Sequence, residues 1–316
     1  METFEGMLGM VLLFAALLIP GYILGKTGLI GDAATVSFSN LLMYVAMPFL
    51  VFSNLLAMDL SAIGVWELAV SALLPIVLVA LLYPVCILLC RAAEAKRRAM
   101  MFCAIFPNCG FLGIPLAGAI WPERPQIVVY ISVFNVVSTF LLLTVGVCIL
   151  SGDRQQINLK RTLVNPILFA VILGVICSCL KVSEHVGMLL TYSETLAQLT
   201  TPLAMTVLGF ELSKLRFFEM WKSAGVYLTS LIKLCISPLL ALGVLLLCRA
   251  CMGMELGEDL LFAMLIATAV STAASAPAMA KKYGADAEYA ATLTLTDTLL
   301  CVAVLPVLYL LFCQVL

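Results

Sequence analysis

Ten long apolar runs follow one another along the chain, and they constrain its fold more than any other feature. Each is close to or above the roughly 20 residues that a helix needs to cross a bilayer. They cover residues 6–25, 35–57, 64–90, 98–120, 126–150, 162–181, 194–212, 222–248, 258–280 and 286–313. Short polar loops separate the runs. The pattern predicts an all-α membrane protein with ten transmembrane helices, numbered here as spans 1–10.

Composition agrees with lipid as the main solvent. Hydrophobic residues make up 64% of the 316 residues and charged residues 11%, whereas soluble domains average about 45–50% and about 25%. The net charge is −1 and no basic stripe is present, so nucleic acid is not an expected partner. The lone histidine, His185, and cysteines that lie mostly inside apolar runs give no support for zinc. No cofactor is expected.

Lysine and arginine are distributed unevenly between alternate loops. With the N-terminus outside, the inside loops hold 13 of the 17 basic residues, the outside loops hold 3, and Lys233 lies within a span. Such a bias is typical of short cytoplasmic loops. It predicts an even number of spans in the cell membrane, with both termini outside. The acidic start, with Glu2 and Glu5, predicts a retained first helix and not a signal peptide.

The two halves of the chain show traces of duplication. Spans 4 and 9 each contain an apolar helix, then small and polar residues, then a proline, and these prolines (Pro115 and Pro277) are 162 residues apart. The same offset carries Asn135 of span 5 onto Asp297 of span 10. Because five spans per half is an odd number, the repeats 1–150 and 151–316 are expected to be inverted.

Spans 4 and 9 are expected to break near the middle of the bilayer, because proline removes a backbone donor where only internal partners exist. Broken helices at matching positions point to a substrate site, and half-helix N-termini suit an anion. The alternative is a packing kink closed by serine and threonine hydroxyls. The candidate substrate-binding residues are Asn108, Cys109, Gly110, Pro115, Ser271, Thr272, Ser275 and Pro277.

Three further polar residues lie within apolar spans, where a charge costs roughly 2.5–3.5 kcal/mol. Asp297 is a candidate for binding a cation or carrying a proton, or else a structural hydrogen-bond anchor. Lys233 would offset Asp297 or contact an anionic substrate, or else snorkel or form a structural ion pair. Asn135 is a candidate neutral partner at the same site, or an interhelical hydrogen bond. Coupling to H⁺, to Na⁺ or to neither stays open.

The segment PNCGFLGIPL, residues 107–116, resembles the P-N-x-x-x-x-G-I-P-L crossover segment of the auxin efflux carrier family, which includes plant PIN carriers and bacterial permeases. Softer similarities are MPFLVFSNL in span 2, NPILFAVILGVI in span 6 and TPLAMTVLGFEL in span 7. The resemblance covers essentially the whole chain. It implies ten spans in two inverted five-helix repeats, with a fold like that of the bile acid–sodium symporters, and spans 4 and 9 crossing at Pro115 and Pro277.

The resemblance also implies that the spans form two structural parts with different roles. Spans 1, 2, 6 and 7 would form a scaffold that makes a homodimer, and spans 3–5 and 8–10 would form a moving transport domain. Asn108 matches the crossover asparagine implicated in carboxylate binding. Where PIN carriers have polar residues in span 2, this chain has Val51 and Ser53 near Pro48. The association of bacterial relatives with malate or malonate favours a small organic anion over an auxin-like carboxylate.

The sequence therefore predicts a secondary transporter of small organic anions that works by an elevator-type alternating-access mechanism. Motifs for hydrolases and for ATP hydrolysis are missing, so an enzyme is not expected. Two other hypotheses compete. A non-transporting sensor would bind a lipid or metabolite in the same cavity. A channel would be expected to carry rings of charged side chains, and these are scarce here.

Overall fold

The structure, a computed structural model, describes residues 4–57, 63–153, 166–180, 182, 187–214, 223–252 and 256–315. The regular elements in these ranges are helical, as the apolar runs predict. We number the helices α1–α10 in chain order and write a and b for the halves of an interrupted helix. They are α1 (Phe4–Lys26), α2 (Asp32–Leu41, Leu42–Ala46 and Met47–Ala57), α3 (Val65–Leu89), α4a (Glu94–Ile105), α4b (Cys109–Gly113 and Ile114–Ile120), α5 (Pro125–Leu141, Leu142–Gly146 and Val147–Ser151), α6 (Pro166–Cys179), α7a (Gly187–Ala197), α7b (Thr200–Ser213), α8 (Ala224–Leu231, Ile232–Ile236 and Ser237–Met252), α9a (Glu258–Ala269), α9b (Ala276–Lys282) and α10 (Ala287–Val315).

Parts of the sequence prediction lie outside the described residues. These are His185, the start of the run 162–181 and most of the loops 151–161 and 213–222. Those loops carry several of the basic residues that orient the chain. The placement of both termini outside therefore stays a prediction.

Five of the described helices are long and apolar enough to cross a membrane: Asp32–Leu56, Val65–Leu89, Pro125–Ser151, Ala224–Ala250 and Ala287–Gln314. The shortest of them has 25 residues, which at about 1.5 Å per residue exceeds the ~30 Å hydrocarbon core. Shorter apolar helices cover Leu12–Lys26, Cys109–Ile120 and Pro166–Cys179. Leucines such as Leu88 and Leu247, each 66% exposed, lie on their outer faces. Lipid is the solvent that such faces require, so this is a multi-pass membrane protein.

The seventh apolar run is longer and less regular than its sequence predicts. The helix is already present at Gly187, ahead of the expected start at 194. A turn at residues 198 and 199 separates α7a from α7b. Pro202 lies four residues after Gln198. Because proline has no N–H, the Gln198 carbonyl has no helical donor, which accounts for the interruption.

Three helices contain a wide π-turn that ends two residues before a proline. The turns are Leu42–Ala46 in α2, Cys109–Gly113 in α4b and Ile232–Ile236 in α8, and the prolines are Pro48, Pro115 and Pro238. In each case the residue before the proline donates its N–H to the carbonyl five residues back. The wider turn accommodates the proline ring without ending the helix.

The helices pack in pairs that recur along the chain. α1 lies against α7b, and α6 lies against α2. α5 packs on α9a, and α10 packs on α4a. α3 and α5 are neighbours, as are α8 and α10. α4b contacts α5, and α9b contacts α10. Each of these pairs therefore has a counterpart among them that is shifted by five helices.

α1 and α7b approach so closely that their backbones touch. A Cβ on Gly21 would lie 2.1 Å from the Thr206 carbonyl oxygen, and a Cβ on Gly209 would lie 2.0 Å from the Leu18 carbonyl oxygen. Only glycine fits at these two positions. Small residues at a helix interface give membrane proteins the close packing that the hydrophobic effect does not supply between helices in lipid.

Candidate functional site

Helices 4 and 9 are both interrupted, as the sequence predicts, and the interruptions lie side by side. α4a ends at Ile105 and α9a ends at Ala269, and extended backbone follows each. The extended segments meet as an isolated antiparallel bridge between Pro107 and Thr272. We call residues 106–108 and 270–273 the crossover.

Two hydrogen bonds hold the crossover together. The Asn108 N–H donates to the Ser271 carbonyl at 2.8 Å, and the Ala273 N–H donates to the Phe106 carbonyl at 2.9 Å. Backbone groups that leave a helix inside a membrane need partners within the protein. Each broken helix supplies those partners for the other.

The crossing point differs from the one that the family resemblance implies. The segments meet at Pro107 and Thr272, and the expected crossing at Pro115 and Pro277 is wrong. Pro277 lies in the first turn of α9b, where proline is tolerated because the N–H groups of a first turn have no intrahelical acceptor. Pro115 lies inside α4b, two residues after the end of the π-turn Cys109–Gly113. Neither proline marks the crossing.

Asp297 of α10 is fully buried and faces the crossover. Its carboxylate accepts hydrogen bonds from Ser230 of α8 and from Thr272. The Thr272 hydroxyl also lies 2.8 Å from the Cys103 carbonyl of α4a. That carbonyl lacks its helical donor, because the residue four positions later is Pro107. Asp297 thus connects α8 and α10 with the crossover segment 270–273, and Thr272 extends this connection to α4a.

The hydrogen bonds around Thr272 require one more proton than the two hydroxyls supply. A hydroxyl donates a single proton, yet Thr272 contacts two acceptors, the Cys103 carbonyl and the Asp297 carboxylate. With Asp297 ionised, one of these contacts has no proton. With Asp297 protonated, the acid donates to Thr272, and Thr272 donates to Cys103. The geometry fits the neutral acid.

Lys233 is also fully buried. It lies in the π-turn Ile232–Ile236 of α8, and its Nζ donates to the Thr268 carbonyl of α9a at 2.9 Å. Among the described residues no carboxylate lies within ion-pair distance of this ammonium. Lys233 therefore forms no direct salt bridge with Asp297.

Two buried polar groups at the crossover have no hydrogen-bond partner among the described residues. They are the Nδ2 of Asn108 and the Oγ of Ser271. Asn108 is 3% exposed and Ser271 is fully buried. A buried polar atom that lacks a partner costs about 1–3 kcal/mol. Both groups are hydrogen-bond donors, and a ligand with acceptor oxygens would satisfy them.

Asn135 of α5 faces the other interrupted helix. A Cβ on Gly110 would lie 3.8 Å from the Asn135 Oδ1 and 3.1 Å from the Met47 side chain of α2. Asn135 thus adjoins the start of α4b, whereas Asp297 contacts the α9 segment. The two residues that share the 162-residue offset therefore adjoin different interrupted helices.

The remaining predicted residues divide into two groups. Cys109 is buried, and its thiol donates to the Ala267 carbonyl of α9a at 3.0 Å. Ser275 is exposed at the N-cap of α9b, and its hydroxyl makes no capping bond. The structure therefore brings Cys109 into the buried cluster and leaves Ser275 outside it.

Sequence reasoning missed Ser230 and Glu67. Ser230 precedes Lys233 by three residues on α8, a spacing that places both on one helix face. Glu67 of α3 accepts hydrogen bonds from the Tyr130 hydroxyl of α5 and, at 2.8 Å, from the Gly257 N–H at the start of α9a. It ties three helices together. Its position in the first turn of an apolar run was the available signal.

A small cavity of about 30 Å³ lies beside the crossover, between α1 and α7b on one side and α4b and α10 on the other. Its lining is mainly apolar. The lining residues are Phe14, Ala15, Leu18, Leu112, Leu116, Met205, Leu208, Thr298, Cys301, Val302 and Leu305. The volume suits about one or two water molecules.

Comparison with known proteins agrees with this architecture. A family model described as a membrane transport protein matches residues 6–160 and 155–309. The chain is also similar to a protein of Methanothermobacter thermautotrophicus described as an uncharacterized transporter, with 28% identity over 247 residues. The match covers 76% of this chain and 79% of that protein. The chain therefore belongs to the membrane transport protein family, which is the auxin efflux carrier family that its crossover segment resembles.

Proposed function

We propose that the protein is a secondary transporter that binds small organic anions at the crossover. The observation that carries this proposal is the pair of buried donors without partners, the Asn108 amide and the Ser271 hydroxyl. A carboxylate offers the acceptor oxygens that these donors lack. The nearby Lys233 ammonium adds positive potential to the site.

The substrate class follows from the size and polarity of these groups. The unpartnered donors and the buried charges are concentrated at the crossover, whereas the adjoining cavity is lined mainly by apolar side chains. A small dicarboxylate such as malate or malonate, which is polar throughout, fits these polar groups better than an auxin-like carboxylate with its apolar ring. The cavity of about 30 Å³ is smaller than either, so binding requires α4b and α10 to move relative to α1 and α7b.

An elevator-type mechanism accounts for the packing. The helix pairs that recur after a shift of five helices support two inverted five-helix repeats, 1–150 and 151–316. α1, α2, α6 and α7 pair with one another and would form the scaffold of a homodimer. α3–α5 and α8–α10 would form the transport domain, with Glu67 joining α3, α5 and α9a. The apolar boundary between the two sets suits sliding.

Asp297 is the best candidate for coupling to protons. The hydrogen bonds around it fit the neutral acid, and loss of its proton would leave one contact at Thr272 without a hydrogen. The charged and titratable groups near it are Lys233 of α8, Cys103 of α4a and Cys301 of α10. A transport cycle that opens this cluster to water would release the proton.

Ligand-dependent thermal stability of the purified protein tests the binding site. Malate, malonate and other organic acids are screened with sodium and pH varied. A ligand that binds the folded state at a hundredfold excess over its Kd stabilises it by about 2.7 kcal/mol. We expect a dose-dependent rise in Tm with a small dicarboxylate. We expect Asn108→Ala to remove that rise.

Asn54→Ala is the matched control, because the Asn54 amide donates to the Leu50 carbonyl of its own helix and has no other partner among the described residues. It should keep the ligand-dependent rise. No rise with any organic anion, or an unchanged rise in Asn108→Ala, contradicts the proposed site. A rise without flux in sealed vesicles would indicate a sensor in place of a transporter.

A further inference from the structure

The C-terminal end of α9a is built like a cation site. The last four carbonyls of a helix have no intrahelical donor, and the helix dipole makes this end negative. Carbonyl oxygens are ligands that hard cations such as Na⁺ accept, and half-helix ends inside membranes bind them. In α9a this end lies at the crossover, deep in the protein.

Donors from the protein occupy all four of these carbonyls. One bond is made by the backbone N–H that follows the helix, and three are made by side chains of other elements. The donors are the Val270 N–H to Ile266 at 3.3 Å, the Cys109 thiol to Ala267 at 3.0 Å, the Lys233 ammonium to Thr268 at 2.9 Å, and the Cys301 thiol to Ala269 at 3.6 Å. In the structure described, each carbonyl of this helix end therefore already has a donor from the protein.

Lys233 is the charged member of this set. Its ammonium is fully buried and donates to a backbone carbonyl. Lys214, by contrast, is partly exposed and pairs with Asp32 and Glu211. A buried ammonium is stable only where negative potential compensates its lost hydration. The dipole of α9a, whose negative end lies at the Thr268 carbonyl, supplies that potential.

The π-turn of α8 and the hydroxyls around Asp297 position this charge. Lys233 lies within the turn Ile232–Ile236, and Ser230, three residues earlier, donates to Asp297. Thr272 holds the other carboxylate oxygen at the crossover. The same short stretch of α8 thus places a cation at the end of α9a and anchors the acid that faces it.

We propose that the Lys233 ammonium serves as a tethered cation, which takes the position of a coupling metal ion at the end of α9a. The protein then needs no Na⁺ at its crossover, and a positive charge stays beside the substrate site throughout the cycle. This inference concerns coupling at the site of the proposed function. Its test reads thermal stability, so it can succeed or fail whether or not an organic anion is transported.

The test replaces the tethered cation by a free one. In Lys233→Ala, the side chain is removed and the Thr268 carbonyl loses its donor. We expect Tm to fall by roughly 5 °C or more. Propylammonium should restore it in a saturable manner at constant ionic strength, and 1-propanol, which fills the same space without a charge, should not. The wild type should show the same Tm in NaCl as in N-methylglucamine chloride.

Two further variants keep the test decisive if Lys233→Ala does not fold. Lys233→Met retains the length of the side chain without its charge and should be less stable than the wild type, with Na⁺ or ammonium raising its Tm. Lys214→Ala, at a partly exposed lysine, should respond to neither ion. A saturable Na⁺ dependence of the wild-type Tm overturns the proposal. So does a Met variant as stable as the wild type, because Lys233 would then contribute packing alone.

Discussion

At the scale of single residues, Asp297 shows how neighbours define the state of a buried acid. Ser230 and Thr272 bond its two oxygens, and the Cys103 carbonyl competes for the Thr272 proton because Pro107 cannot donate to it. The three contacts among Ser230, Thr272, Asp297 and the Cys103 carbonyl need one more proton than the two hydroxyls supply. An aspartate that can be neutral or charged at a crossover is suited to coupling.

Substitution of Asp297 separates its proton from its hydrogen bonds. Asp297→Asn mimics the neutral acid, since its amide donates to Thr272 and its carbonyl accepts from Ser230. We expect a near-wild-type Tm and, if protons couple to transport, a substrate flux that no longer responds to an imposed pH gradient. Asp297→Leu should lose about 1–3 kcal/mol of stability, because it leaves buried hydroxyls without partners.

The control is Thr296→Val, because the Thr296 hydroxyl donates to the Thr292 carbonyl of the same helix and to no other group among the described residues. It should keep both the stability and the pH response of the wild type. A pH response in Asp297→Asn equal to that of the wild type would remove Asp297 from the coupling mechanism.

At the scale of helices, the contact between α1 and α7b depends on Gly21 and Gly209, each of which lies against the backbone of the facing helix. We expect Gly209→Ala to destabilise the protein by roughly 1–3 kcal/mol, because its Cβ would lie 2.0 Å from the Leu18 carbonyl oxygen and must push the helices apart. Thermal unfolding of the purified protein measures this. Gly243→Ala in α8 is the control, since a Cβ there meets nothing within 4 Å. Equal Tm values for the two variants would contradict the close contact.

Most of the helices and their breaks could be predicted from the sequence, but some of the contacts between them could not. Apolar runs predicted helices, and the prolines with the small and polar residues before them predicted the breaks in spans 4 and 9. The register of the crossover was missed, because a bridge between Pro107 and Thr272 depends on which backbone groups face each other, and composition does not record this. The bond from Lys233 to a backbone carbonyl was missed for the same reason, since any residue type could have supplied that carbonyl.

At the scale of the whole molecule, the proposed elevator requires sliding between α1 and α10. Ala15 and Val302 line the same cavity at this boundary. We expect a cross-link between cysteines placed at these two positions to stop substrate flux in vesicles, and reduction to restore it. A cross-link between cysteines at Leu18 and Met205, which joins α1 to α7b within the scaffold, should leave flux intact. Flux that survives the first cross-link would exclude a sliding mechanism across this boundary.

The central claim is that the unpartnered donors at the crossover bind the anion that this family member carries across the membrane. Uptake of radiolabelled malate or malonate into proteoliposomes tests it most directly. The account predicts saturable uptake by the wild type and by Asn54→Ala, and a loss of at least tenfold in Asn108→Ala, which corresponds to about 1.4 kcal/mol. Uptake by Asn108→Ala at the wild-type rate, with equal amounts of folded protein, would contradict the account.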